Sequence, residues 1–343
     1  MVKLTLSTFH SVIYCFLFLF FYSCTEQKAP NVSHIKVQFD VKHFEKDFFT
    51  IDTTHTAEAI IKLNQKYPSF TPNFLTGILN ADPAWSADTT AWYLKQFIKA
   101  YMPVYDSAEI VFANFKQQEE EIKRAFQFLK YYFPSYAAPK HIITYIGPVD
   151  GYGDILDEHS AYIGLQHHLG KNYSLYNTPL VQETYPFYIS RQFIPATIPI
   201  NLMKNIILDI YPEQFGDKTL VIQMVEKGKR LFLLQLLLPE VNEYLLIGYS
   251  KEQMKDCYAH ERAIWDLFIH NNLLQITDYS IIRNYIGEGP KTIELGEASP
   301  GNIGSFSGWQ IVKQYMKKHS QLTPDELMSI SAEKIFNDAK YKP

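Results

Sequence analysis

Apolar positions in this chain recur mainly at helical spacing, and only rarely in the alternation of a half-buried strand. The first stripe takes in Ala57, Ile60, Ile61 and Asn64, with Thr54 as its cap. It stops at Tyr67-Pro68, because proline disfavours helical backbone in the residue before it. A second stripe runs from Ser86 through Trp92, Phe97 and Tyr101 to Pro103. Residues 114–133 carry a third, with Phe115, Ile122, Phe126, Leu129 and Phe133 on one side and the solvated run 117–121 (QQEEE) on the other. Two short stretches break the pattern. Residues 140–147 (KHIITYIG) and 161–165 (AYIGL) are β-branched or aromatic and bounded by Pro and Gly, which predicts two strands, a hairpin around the loop 148–160.

Prolines 179, 186, 195 and 199 then require any helix in their midst to kink or to start late. Residues 201–211, 219–238 and 250–274 read as further helices, the second interrupted by Gly228. The third opens on a Ser250/Gln253 capping box and turns Met254, Tyr258, Trp265 and Phe268 inward. A last helix begins near Gly308 and carries Trp309, Val312, Tyr315 and Met316. The fold class expected is α+β, predominantly α-helical, with a small sheet or hairpin near 140–166 in a single globular domain, residues 37–343.

The N-terminus reads as an address. Lys3 is the only formal charge before an unbroken apolar run at 12–22 (VIYCFLFLFFY), well short of the roughly 20 residues that span a bilayer as a helix. Ser23-Cys24 follows, which resembles the end of a bacterial lipoprotein signal. The expectation is a signal peptide over residues 1–23, an acylated (palmitate-bearing) Cys24, and a polar tether over 24–36. The protein would then sit in the cell envelope as a membrane-anchored lipoprotein, on the periplasmic face or at the outer membrane.

Composition removes other classes. The 343 residues hold 32 Lys+Arg against 36 Asp+Glu, a net charge of −4, so there is no basic field for nucleic acid. Apolar residues make up 47% and aromatic residues 15%, which excludes bulk disorder and supports a large core. Of 3 cysteines, Cys15 and Cys24 belong to the N-terminal segment, so Cys257 stands alone and no disulfide framework is possible.

Candidate chemistry is fragmentary. Gly304–Gly308 matches G-x-S-x-G, but no strand precedes it, so it reads as a Gly/Ser loop docking the last helix. Gly287–Thr292 has the wrong spacing for a phosphate loop and reads as a turn. His260-Glu261 begins like the zinc-helix motif H-E-x-x-H, yet Ile264 holds the second histidine's place, which leaves Glu261 for a polar contact and His260 exposed. Glu158-His159 and His167-His168 flank the second strand. Neighbouring residues of an extended chain face opposite ways, so surface histidines are expected there. Arg191 and Glu183, within a Tyr- and Pro-rich stretch, point to a polar cluster.

Several segments taken in order resemble the gliding-motility lipoprotein GldB family: residues 44–52 (FEKDFFTID), 67–70 (YPSF), 162–170 (YIGLQHHLG), 248–250 with 261–265 (ERAIW), 299–304 (SPGNIG), 308–312 (GWQIV) and the terminal 341–343 (YKP). That resemblance implies a lipid-anchored envelope protein required for gliding, held to a membrane by its N-terminal lipid. Its partners would be other gliding-machinery or envelope proteins. A more distant similarity to zincin-type metallopeptidases implies a zinc helix near residues 191–205 and a later glutamate at Glu226. No histidine lies between His168 and His260, so the implied reading is a non-catalytic, zincin-like pseudoenzyme with no metal and no cofactor. Arg191, Glu261, Trp265, Gly308 and Trp309 are its structural or partner-binding candidates. The alternative is a metal-dependent hydrolase of peptides or envelope polymer that draws ligands from Glu158, His167, His168, Glu226 and Glu261.

Overall fold

Side chains at 141–145 and 160–164 offer almost no polar face, and both strands are buried on both sides. The computed structural model describes residues 29–214 and 216–343. The expected signal segment and Cys24 lie outside the described residues. Residues 32–343 pack as one unit. Packing begins ahead of the expected boundary at 37: Val32 is fully buried, and the Ile35 carbonyl accepts from Gln127 Nε2 at 3.0 Å, so the last part of the expected tether is docked chain.

In chain order the elements begin with strand β1 (Asp40–His43) and helices α1 (Phe44–Phe49), α2 (Thr56–Lys66) and α3 (Phe70–Asn73), the last continuing into a π-turn at Phe74–Ile78. Next come α4 (Ala87–Val111), α5 (Lys116–Tyr132), β2 (His141–Tyr145), β3 (Ile155–Leu156) and β4 (Ser160–Gly164). Short helices α6 (Pro179–Thr184) and α7 (Phe187–Ser190) lead to α8 (Ile198–Ile210) and α9 (Leu220–Leu237). The C-terminal part holds α10 (Glu243–Ile247), α11 (Lys251–Ala259), α12 (Glu261–His270), α13 (Tyr279–Ile286), α14 (Ile303–Lys318), α15 (Pro324–Ser329) and α16 (Ala332–Ala339). The fold is therefore predominantly α with a small sheet, as the helical stripes require.

The sheet departs from the expected hairpin. Its order is β1-β2-β4-β3, with β1, β2 and β4 mutually parallel and only the two-residue β3 antiparallel, at the edge. A parallel partner needs a crossover. The chain from β2 to β4 supplies it by running back along the edge as β3. On one side of the sheet Phe44 meets both Phe70 and Phe74 at ring centroid distances of 4.8 Å, and Phe70 stacks on Tyr162 at 4.5 Å. Thr144 faces the other side of the sheet, where its Oγ1 donates to the buried Glu45 carboxylate at 2.7 Å.

Three helix boundaries differ from the sequence reading, each for a local reason. Helix α4 continues through Pro103 to Val111 because Pro103 and Lys99, whose carbonyl loses its N–H partner, both lie on the exposed face. The expected helix 250–274 is two helices broken at His260, whose Nδ1 and backbone N–H both address the Asp256 carbonyl; the break lets Cys257 and Trp265 both face inward. The prolines at 179 and 199 sit in the first turns of α6 and α8, where a missing N–H removes no helix bond.

Gly304–Gly308 is not a loop but the buried start of α14. A Cβ on Gly308 would lie 1.8 Å from the Met224 carbonyl oxygen, and one on Gly228 would lie 2.3 Å from the Gly308 backbone. Helices α9 and α14 thus touch backbone to backbone at this crossing, which only glycine permits. Trp309 is fully buried beside it, with the Lys313 ammonium 4.0 Å from its ring centre. Glycine 228 is therefore a contact point in an unbroken α9 rather than an interruption.

Gly308→Ala is expected to lower the unfolding free energy in urea by about 3 kcal/mol or more, since neither backbone can yield. Gly77→Ala, where an added methyl meets nothing within 4 Å, is the matched control and should be neutral or slightly stabilising. Equal effects from the two substitutions would contradict this account of the crossing.

Candidate functional site

The loop that leaves β2 turns at residues 148–151, where the Gly151 N–H donates to the Pro148 carbonyl at 3.0 Å, and delivers Asp154 into the interior just before β3. Every nearby element supplies it with a donor. The backbone N–H of Gly164, at the end of β4, donates to Oδ1 at 3.1 Å. His168 Nε2 lies 3.1 and 3.0 Å from the two carboxylate oxygens. From α8, Asn201 Nδ2 donates to Oδ2 at 2.9 Å, and Asn205, one helical turn on, donates to the Asp154 backbone carbonyl at 3.1 Å. Burial alone would push the Asp154 pKa up, but the charge and hydrogen bond of His168, with the bond from Asn201, outweigh it and hold the carboxyl below its ordinary value.

His168 is as enclosed as its partner, with side-chain exposures of 1% and 4% for the pair. Its Nδ1 faces the Ile194 carbonyl and Thr197 Oγ1, both at 3.2 Å, while the Thr197 hydroxyl donates to backbone carbonyls. Polar partners therefore stand at both ring nitrogens and hold the ring from both sides. His167 points elsewhere, as neighbouring residues must. Its Nε2 reaches the Val149 carbonyl at 2.8 Å, and its ring stacks on Phe193 at 4.5 Å with Tyr185 edge-on at 4.9 Å. Burial pushes the His167 pKa down to about 4 despite the Val149 contact. Both histidines are thus interior, contrary to the surface positions expected for them.

The other candidates do not join this cluster. Glu158 is exposed beside His159 on the rim of a cleft of about 820 Å³ that Asp154 and Asn205 also border. Glu226, on α9, is held by Lys229 at 2.9 Å and Arg230 at 3.3 Å; Lys229 in turn donates to the last carbonyls around α15. Glu261 accepts from Tyr341 at 2.5 Å, and His260 is exposed. Trp265, Gly308 and Trp309 are interior. Arg191 does form a polar cluster, but its partners are neither tyrosine nor Glu183: Nη2 donates to the Gly248 carbonyl at 3.0 Å and to Gln253 Oε1 at 2.9 Å, the side chain that completes the capping box of α11.

A zinc does not fit these residues. The helix in the interval where a zinc motif would fall is α8, and Asn201 and Asn205 hold its i and i+4 places; amides are not zinc ligands of the usual set. The imidazole of His168 has both nitrogens engaged, and both oxygens of Asp154 already accept from protein donors. Among the described residues no group of three or more His, Cys, Asp or Glu is placed to hold a metal. The arrangement orients and clamps the carboxylate and the imidazole. Sequence reading missed Asp154, Asn201 and Asn205. The trace they leave is an Asn-x-x-x-Asn spacing on a largely apolar helix.

Beyond His168 lies a second cleft, of about 790 Å³, lined by Thr197, Arg191 and Tyr249 among others. A family model described as gliding motility protein GldB matches residues 25–343. No curated protein and no solved structure matched the chain.

Acid should expose the cost of burying a neutral imidazole. Between its ordinary value of 6.5 and about 4 the unfolded chain protonates His167 while the folded chain does not, so this group's contribution is complete above 6.5 and is lost as the pH falls. Moving from about pH 7.5 to about pH 5 should cost about 2 kcal/mol more in the native chain than in His167→Phe, measured by urea unfolding. Equal losses in both proteins would contradict the assignment.

Proposed function

We propose, from the premise that the chain belongs to the gliding motility protein GldB family, that it serves gliding as a non-catalytic binding or assembly component, held to a membrane of the cell envelope by lipid on Cys24. The observation that supports the non-catalytic reading is the saturation of Asp154: the carboxylate of this buried carboxylate–imidazole pair spends its acceptors on Gly164, His168 and Asn201. A hydrolytic site of the kind the zincin similarity implies needs a ligand set with an open position, and the helix that would supply it offers asparagines. The anchor reading rests on the Ser23-Cys24 junction and on the family's bearing. Among the described residues no helix is long and apolar enough to cross a membrane, so attachment in this reading falls to the N-terminal cysteine.

Deletion of the protein should abolish spreading of gliding cells, and Cys24→Ser should move the chain from the membrane fraction to the soluble one. Glu158→Ala and His260→Ala, at exposed positions, should leave spreading intact at wild-type protein levels. Loss of spreading in either of these two variants, with protein levels unchanged, would contradict the non-catalytic reading; membrane retention of Cys24→Ser would contradict the anchor.

A further inference from the structure

The cleft beyond His168 is walled by the loop after β4, by residues 191–197 and by the junction of α10 and α11. Arg191 stands at its side with one guanidinium nitrogen tied to Gly248 and Gln253 and, among the described residues, no carboxylate in ion-pair contact. Burial lowers its pKa, and the carboxylate of Glu288 offsets this only through space. Glu288 also acts on Lys204, a half-buried ammonium on α8 that makes no hydrogen bond or ion pair among the described residues. Two sheltered cations thus look to one exposed carboxylate. A guanidinium taken partly out of water without an anion is a costly arrangement unless an anion arrives from outside.

The rest of the lining narrows what that anion is. Lys171 and Lys251 are exposed at the rim, and Tyr173, Tyr244 and Tyr249 line the walls. Glu252 is part of the lining as well. A densely charged phosphate would meet Glu252 in the lining as a repulsive neighbour. A chain that spaces single carboxylates between neutral or aromatic side chains can set a carboxylate on the planar guanidinium and lay the remainder on the tyrosines. The volume suits a short peptide stretch better than a lone ion.

We propose that this cleft is a docking site for an acidic peptide segment of a partner protein, with Arg191 receiving a carboxylate and Lys171 and Lys251 steering it. The assignment rests on the binding-component reading and names the chemistry of what is bound.

The test titrates the full-length chain in detergent micelles with a fluorescent peptide pool of mixed Ala, Tyr and Ser carrying Glu at two fixed positions, and with a matched pool carrying Gln there. The Glu pool should bind at least about tenfold more tightly. Arg191→Gln should remove that preference, and so should the double charge reversal Lys171→Glu with Lys251→Glu, which touches only exposed side chains and should leave thermal unfolding unchanged. Equal binding of the two pools, or a Glu preference that survives both variants, would overturn the proposal. Displacement of the Glu pool by micromolar inorganic phosphate would overturn it in favour of a small phosphate ligand. Spreading of the deletion strain tests the broader reading separately: a chain required for gliding that does not distinguish the pools loses only the cleft assignment.

Discussion

A carboxylate cut off from water must be given back its hydrogen bonds by the protein, and in this fold the demand of Asp154 is what ties the halves together. Its partners come from the end of β4, the turn after it and two successive turns of α8, with residues 194–197 bracing His168 from behind. Removing one member of such a buried pair typically costs about 3–5 kcal/mol, because the other is left charged and unpaired. The edge strand β3 is only two residues long and holds its place next to β4 largely because Asp154, immediately before it, is pinned from three directions.

The second constraint is geometric. With Gly228 against Gly308, α9 and α14 approach closely enough to bury the whole first half of α14, and α16 closes over both. These two devices divide the work: the glycine crossing packs the C-terminal helices, and the Asp154 cluster docks the sheet onto them through α8. Neither leaves a reactive group exposed. The surface carries a cleft with the Arg191 guanidinium in its wall.

Much of this was legible in the sequence and some was not, for definable reasons. The helical stripes and the two buried strands follow from apolar spacing, and the Ser250/Gln253 capping box forms as its two residues require. The pairing of β2 with β4 as parallel neighbours was not legible, because an apolar strand carries no mark of its partner's direction. Pro103 and His260 misled in opposite senses, since whether a helix survives a disturbance depends on which face meets solvent or core. The site was the least legible. His167 and His168 gain their roles from Phe193, Ile194 and Thr197, brought in from beyond a proline-rich excursion, and Asp154 has no local sign beyond a preceding glycine. Arg191 stood out correctly as a residue in need of partners, but its partners come from Gly248 and Gln253, far along the chain.

The claim on which the account turns is that protein donors, and not a metal, satisfy the Asp154–His168 cluster. Elemental zinc analysis of the full-length chain, purified without chelator and without a histidine tag, tests it most directly. The account predicts no stoichiometric zinc and thermal unfolding indifferent to added chelator. About one zinc per chain, lost in His168→Phe, would contradict it and favour a metal-dependent hydrolase.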